Sequence, residues 1–430
     1  MKQFFRFEER GTNYRTEFVA GLTTFLSMAY ILALNPMILG ETGMDTGAVF
    51  TATALAAILG TLMMALFANY PIGLAPSLGV NSFFTYTVVL TMGISWETAL
   101  AGVFVSGLIM ILITVLKIRE KIINVIPKDL KYATAAGIGF FIAFIGLKNA
   151  EIVTGNPDTF VGIGSLTGAP LLSIVGFIIT VVFLVKGFKG GIFYGMVLTA
   201  AIGIAIGLVD APTQVVSGIP SLTPTFGAAF AELHNLFTLE LLIVIFTFLF
   251  IDFFDTAGTL IAISSQAGLM KDNKIPNAGR ALFADSTATT AGAVFGTSTT
   301  TSLIESSAGI AAGGRTGFTG VVISIFFFFA LFFSPLLIAF TAHVTAPALI
   351  IVGAMMASQV RLVNWNDYAV AIPAFVTIIM MPLTFSIATG IALGFILYPI
   401  MMLAVKKREM VHPIMYGLSF VFLVYFAYIV

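Results

Sequence analysis

The run from Phe246 to Gly258 reads FTFLFIDFFDTAG and sets two carboxylates, Asp252 and Asp255, in an otherwise apolar stretch. They lie three residues apart, so on a helix they share a face. An acid near the middle of a bilayer costs about 3 kcal/mol on insertion scales, which makes it a candidate for function. Two more acids, Asp285 and Glu305, lie in or at the edges of apolar runs of the same half, and an amide, Asn81, interrupts an apolar run of the other half. No Lys or Arg lies deep in any such run, so the acids have no basic partner at their own depth. A desolvated carboxylate can carry a proton, which suits proton coupling. An ionised one can accept two hydrogen bonds from a planar pair of N–H donors. Each residue also has a plainer use. Asp255 can be a packing residue bonded to nearby hydroxyls, Asp285 can tie spans together, and Asn81 can satisfy freed backbone groups.

The elements that hold these residues must cross a membrane. Of 430 residues, 59% are hydrophobic and 9% charged, with a mean hydropathy of +1.05. A soluble domain carries about a quarter charged residues, so this is a polytopic membrane protein. Lys plus Arg equals Asp plus Glu at 20 each, so net charge is uninformative and charge distribution matters. With no cysteine there is no disulfide, thiolate metal site or cysteine nucleophile, and His234, His343 and His412 are too scattered to suggest a metal cluster. The composition also offers no basic surface for nucleic acid; the surroundings it fits are lipid.

A span needs about 20 apolar residues. Spans are expected near 17–39, 47–69, 75–92, 97–117, 130–149, 168–187, 190–209, 237–263, 278–296, 299–313, 317–338, 342–360, 368–385 and 387–405, fourteen in all. The apolar run 412–430 can either cross or lie at the interface. With the N-terminus cytoplasmic, all 20 basic residues except Lys148 fall in cytoplasmic segments, as the positive-inside rule requires.

The two halves echo one another. Span 4 begins Thr98-x-x-x-Gly102-Val103-x-x-Ser106, and span 11 begins Thr316-x-x-x-Gly320-Val321-x-x-Ser324, an offset of 218 residues and seven spans. An odd number of spans reverses direction, so the repeat is inverted, a device of transporters with a site at the membrane midplane. Span 3 (PIGLAPSLGVNSFFTY, 71–86) and its counterpart span 10 (FGTSTTTSLIESSAGIAAGG, 295–314) are short and rich in Pro, Gly and small polar residues. Neither reads as an unbroken helix, and paired broken segments point to a binding site. Asn81 lies in one and Glu305 in the other.

These segments carry a resemblance. FRFEERGTNYRTEFVAGLTTFLSMAYILALNPMIL, LGVNSFF, IDFFDTAGTL and TTTSLIESSAGIAAGGRTG together resemble the AzgA-like branch of the nucleobase–cation symporters, over nearly the whole chain. The resemblance implies an all-α fold like that of the uracil permeases, fourteen spans in a 7+7 inverted repeat, with short strands in spans 3 and 10 crossing antiparallel at the membrane centre. A core domain would comprise 15–117 and 237–341, and a gate domain 118–236 and 342–405, followed by the C-terminal segment 406–430. It further implies purine bases (adenine, guanine or hypoxanthine) taken up with protons across the cytoplasmic membrane, no other cofactor, and dimerisation through the gate domain. Gly79 and Asn81 match the family's Gly-x-Asn of span 3, Asp252 and Asp255 its span-8 acids, Glu305 its span-10 glutamate, and Asp285 its span-9 aspartate. Gly79, Asn81, Asp252 and Glu305 would bind the base; Asp252, Asp255 and Glu305 would serve proton coupling. Uracil permeases place a histidine just after the span-8 acid; here Thr256 and Gly258 occupy that region, which fits the purine branch.

Three rivals fare worse. A sulfate-type anion transporter of the same fold would not place several acids at its site. An intramembrane prenyl-transfer enzyme, suggested by Asp-x-x-Asp, needs a second Asp-rich motif and basic residues for a Mg-diphosphate. A channel has no need of buried titratable acids. The expectation is therefore a transporter and not an enzyme.

Overall fold

The computed structural model describes residues 1–117, 126–235, 238–266 and 277–429. The first half runs α1 (Tyr14–Met28), α2 (Ile31–Gly40), α3 (Thr46–Met63), strand β1 (Leu74–Pro76), α4 (Leu78–Ser82) and α5 (Trp96–Val115). It continues with α6 (Lys128–Asn149), a hairpin of β2 (Val153–Asn156) and β3 (Phe160–Ile163), α7 (Ala169–Val185) and α8 (Gly191–Ala205). The second half runs α9 (Leu239–Gln266), α10 (Ala278–Phe295), β4 (Thr300–Ser302), α11 (Ser306–Ala311) and α12 (Gly317–Ala330). It closes with α13 (Ala342–Ala357), α14 (Tyr368–Leu383), α15 (Ile387–Ala404) and α16 (Pro413–Ile429). Among the described residues, seven helical stretches are long and apolar enough to cross a membrane by length and composition.

Helix starts follow local chemistry. Asp45 and Ser95 cap α3 and α5 by accepting from Ala48 N (2.7 Å) and Thr98 N (3.3 Å). The start of α12 is held more firmly. Asn69 accepts from Gly317 N at 2.8 Å, and the buried Glu17 of α1 accepts from Arg315 N (2.9 Å), Thr319 N (3.2 Å) and Thr319 Oγ1 (2.5 Å). A buried carboxylate is tolerated here because the first turn of a helix offers free N–H groups and a favourable dipole.

The packing repeats between the halves. α5 lies on α10, and its counterpart α12 lies on α3; α1 meets α12 as α9 meets α5. α6 and α13 pack on each other, with α14 added to α6 and α7 to α13. The strands show the inversion directly, since β1 pairs antiparallel with β4 in the register Leu74 with Ser302, Ala75 with Thr301 and Pro76 with Thr300. Spans 3 and 10 are thus broken as expected, each a strand followed by a short helix.

The α6–α13 crossing depends on missing side chains. A Cβ on Gly139 would come 2.6 Å from Gly353 O, and one on Gly353 would come 2.5 Å from Gly139 O. Small residues let two backbones approach where lipid supplies no hydrophobic drive.

Four regions differ from simple spans. Between α1 and α2 the helix tightens at Ala29 and Tyr30, with Leu32 N donating to Ala29 O and Ala33 N to Tyr30 O, both at 3.1 Å. Span 11 is α-helical only to Ala330; residues 331–339 form a tighter helix around Pro335, whose ring cannot donate and crowds the preceding turn. The polar connection 210–235 lies against other elements: Thr51 Oγ1 donates to Pro220 O at 2.9 Å and Thr225 Oγ1 to Phe295 O at 2.9 Å. The C-terminal apolar run forms α16 over Pro413–Ile429 and packs on α15, with Ser419 Oγ donating to Phe395 O at 2.7 Å and Phe422 lying among Phe246, Phe250 and Phe395.

Lys148, the basic residue that departed from the charge pattern, has an aromatic seat. Its Nζ lies 5.1 Å from the Tyr86 ring centroid and 5.3 Å from that of Phe385. Phe385 itself has φ +52°. A non-glycine residue in that region is strained, and it is held here by ring contacts with Tyr86, Phe141 and Phe144.

Candidate functional site

Two strands of three residues each cannot satisfy their own backbones, and inside a membrane no water substitutes. Side chains from the flanking helices supply the missing partners. Thr61 Oγ1 of α3 accepts from Leu74 N at 2.9 Å, and Ser306 Oγ of α11 accepts from Gly73 N at 3.0 Å. On β4, Thr289 Oγ1 of α10 donates to Thr300 O at 3.0 Å, and Asp285 Oδ1 accepts from Ser302 N at 3.2 Å. Span 2 thus braces the strand of span 3 as span 9 braces that of span 10.

Asp285 is therefore placed behind the strand. The Thr256 hydroxyl of α9 donates its one proton to the same carboxylate, lying 2.8 and 3.0 Å from its two oxygens, which joins α9, α10 and β4. Asp252 lies one turn before Thr256 and is 1% exposed. Asp255 falls on the same helix; its side chain lies outside the described residues. α9 packs against β4, α4 and α11, which puts its acidic turn beside both broken segments. Phe248 anchors this contact, edge to face with Phe83 at 5.2 Å.

Glu305 immediately precedes α11 and is 8% exposed. The Tyr30 hydroxyl, from the tightened turn between α1 and α2, donates to Glu305 Oε1. Asn81 in α4 is fully buried, and its Nδ2 donates to Asn35 Oδ1 of α2. Asn35 Nδ2 in turn donates to Thr53 Oγ1 at 2.7 Å and Thr297 Oγ1 at 2.8 Å. Gly79 has a steric role in this arrangement, since a Cβ there would lie 2.8 Å from Ile138 Cγ2 of α6.

Asn81, Asp252 and Glu305 thus sit on elements that abut one another around the strand crossing, with Gly79 on the side toward α6. The reading of the sequence missed Tyr30 and Asn35. Both are polar residues in the first apolar span, Asn35 just before Pro36, and that was the available signal. Chemically the site offers carboxylate and amide oxygens, backed by hydroxyls, in buried surroundings. Asn81 Oδ1, Thr299 Oγ1, Thr300 Oγ1 and Ser302 Oγ are buried and take no hydrogen bond from another described residue. Such polar atoms in a buried crossing suit a small polar ligand.

An inverted repeat with broken, antiparallel segments and a polar site at their crossing defines a membrane carrier. The chain belongs to the xanthine/uracil permease family, whose model, described as a permease family, matches residues 15–393. It is a transporter, not an enzyme. It is 56% identical to the guanine/hypoxanthine permease PbuG of Bacillus subtilis over the whole of both chains. It is 44% identical to the adenine permease AdeQ of Escherichia coli, covering 93% of this chain and 90% of that one. The fold is that of the transmembrane domain of the cyanobacterial bicarbonate transporter BicA, with a TM-score of 0.66 at 16% identity, covering 89% of this chain and 97% of that one.

Proposed function

We propose that this permease takes up purine nucleobases (adenine, guanine or hypoxanthine) across the cytoplasmic membrane together with protons. What supports the reading is that Asn81, Glu305 and Asp252 lie on or next to elements packed around the crossing of β1 and β4, in a chain so similar to a guanine/hypoxanthine permease. Purine rims are planar rows of N–H donors and ring-nitrogen acceptors, and carboxylate and amide oxygens suit the donors. Glu305 and Asp252 accept from the base; Asp252 or Asp255 carries the proton, which removes the cost of moving a buried charge. Residues 15–117 and 237–341 form a core that carries the site, and 118–236 and 342–405 a gate against which it slides as an elevator. The close approach of Gly79 to Ile138 supports a seam between these two groups near the site. Homodimers form through the gate, and the N-terminus is cytoplasmic, as the basic residues support.

The test is uptake of radiolabelled adenine, guanine, hypoxanthine and uracil into proteoliposomes under an imposed pH gradient. Saturable purine uptake driven by the gradient is expected. Purine uptake indifferent to the gradient would remove the proton coupling; uptake of none of the four would remove the substrate class.

A further inference from the structure

We infer that Asn35 and Thr53, which do not themselves bind the base, fix the side-chain amide of Asn81 so that it meets the substrate as a hydrogen-bond acceptor. This rests on the purine reading above and assigns the polarity of one of its contacts. An amide side chain can point its oxygen or its nitrogen toward a ligand, and which it does follows from the rest of its network.

The network runs in one direction. Thr53 Oγ1 lies 2.6 Å from Val49 O, the carbonyl one turn earlier on α3, so its single hydroxyl proton is spent there. Toward Asn35, Thr53 can therefore only accept, and it is the Asn35 amide nitrogen that faces it at 2.7 Å. The same nitrogen reaches Thr297 Oγ1 at 2.8 Å, which uses both of its protons. Asn35 Oδ1 is then the atom left for Asn81, and it takes a proton from Asn81 Nδ2. Asn81 Oδ1 is left buried and accepts from no other described residue.

The consequence is one of specificity. Thr53 is two hydrogen bonds removed from Asn81, yet it sets whether Asn81 offers an acceptor or a donor. Together with Glu305 and Asp252, an acceptor at Asn81 selects a base edge that presents N–H groups. A ligand offering a lone pair to Asn81 sets acceptor against acceptor and leaves both unpaired, which a buried site penalises strongly. Thr53 and Asn35 are positioning residues whose effect passes through Asn81.

The experiment is purine uptake into proteoliposomes by the wild type, Thr53→Val, Thr53→Ser, Asn81→Ala and the double variant Thr53→Val/Asn81→Ala, each checked for folding by its melting profile. Thr53→Val should raise KM for purine about tenfold, the worth of one misdirected buried hydrogen bond, with little change in maximal rate. Thr53→Ser keeps both hydrogen bonds and should restore wild-type KM. Once Asn81 is alanine, Thr53→Val should raise KM no further, whereas a loss through general loosening of the fold would multiply. Asn35→Leu, which removes the amide between Thr53 and Asn81, gives the same comparison should Thr53→Val fail to fold. Wild-type uptake with a KM unchanged in folded Thr53→Val or Asn35→Leu, or effects that multiply in the double variant, would overturn this inference while leaving the purine reading standing. An absence of saturable purine uptake by the wild type would remove that reading and the inference with it.

Discussion

At the scale of single residues, the site separates groups that face the crossing from groups that hold it up. Asp285 is bound by Thr256 and Ser302 N. Asp285→Ala strands a buried N–H and a hydroxyl and is expected to cost roughly 3 kcal/mol of stability, seen as a lower melting temperature of the purified protein. If Glu305 and Asp252 bind the base as proposed, Glu305→Gln and Asp252→Asn, which preserve volume, should instead abolish saturable uptake with the melting profile nearly unchanged; normal kinetics in both would contradict that proposal. Tyr30→Phe deletes the hydroxyl that orients Glu305 and should lower apparent affinity about tenfold, read as KM in the uptake assay. The acids and Asn81 were legible in the sequence because a polar group in an apolar run is expensive. Tyr30 and Asn35 were not, since a tyrosine and an asparagine near a proline have many uses. Only their long-range partners, Glu305 and Asn81, reveal which use applies.

At the scale of elements, proline, glycine and small polar residues foretold that spans 3 and 10 would break, and both do. The bracing of the two strands by Thr61, Ser306, Thr289 and Asp285 was not legible, because it joins residues from different spans. The same holds for the α6–α13 crossing. Replacing Gly353 with leucine would drive a side chain into the backbone of α6 and should destabilise by about 2 kcal/mol or more, as overpacking does, again read from the melting profile. The C-terminal run was ambiguous by composition, and its packing is now defined by the Phe422 cluster. Phe422→Ala is expected to cost about 3 kcal/mol, the lower end for a buried phenylalanine.

At the scale of the whole molecule, the proposed sliding of core against gate has a contact that tests it. Tyr86 follows α4, and Phe385 lies between α14 and α15, with ring centroids 5.3 Å apart. The chain has no cysteine, so a Tyr86→Cys/Phe385→Cys variant carries no background thiols. Bridging the pair with a short bis-methanethiosulfonate, which forms a disulfide with each thiol and releases sulfinate, should arrest uptake, and a thiol reductant that cleaves those disulfides should restore it; uptake undiminished by the bridge would show that these two groups do not move apart during transport. The sequence by itself determined the membrane class, the direction reversal between halves, the two broken segments and the acids, because each follows from the cost of polar groups in hydrocarbon and from local backbone chemistry. Tertiary structure alone decided which polar groups meet: Tyr30 with Glu305, Asn35 with Asn81, and Asp285 with the strand behind the site. The reason is physical, since hydrogen-bond partners hundreds of residues apart are selected by packing and leave no periodic or local trace in the chain.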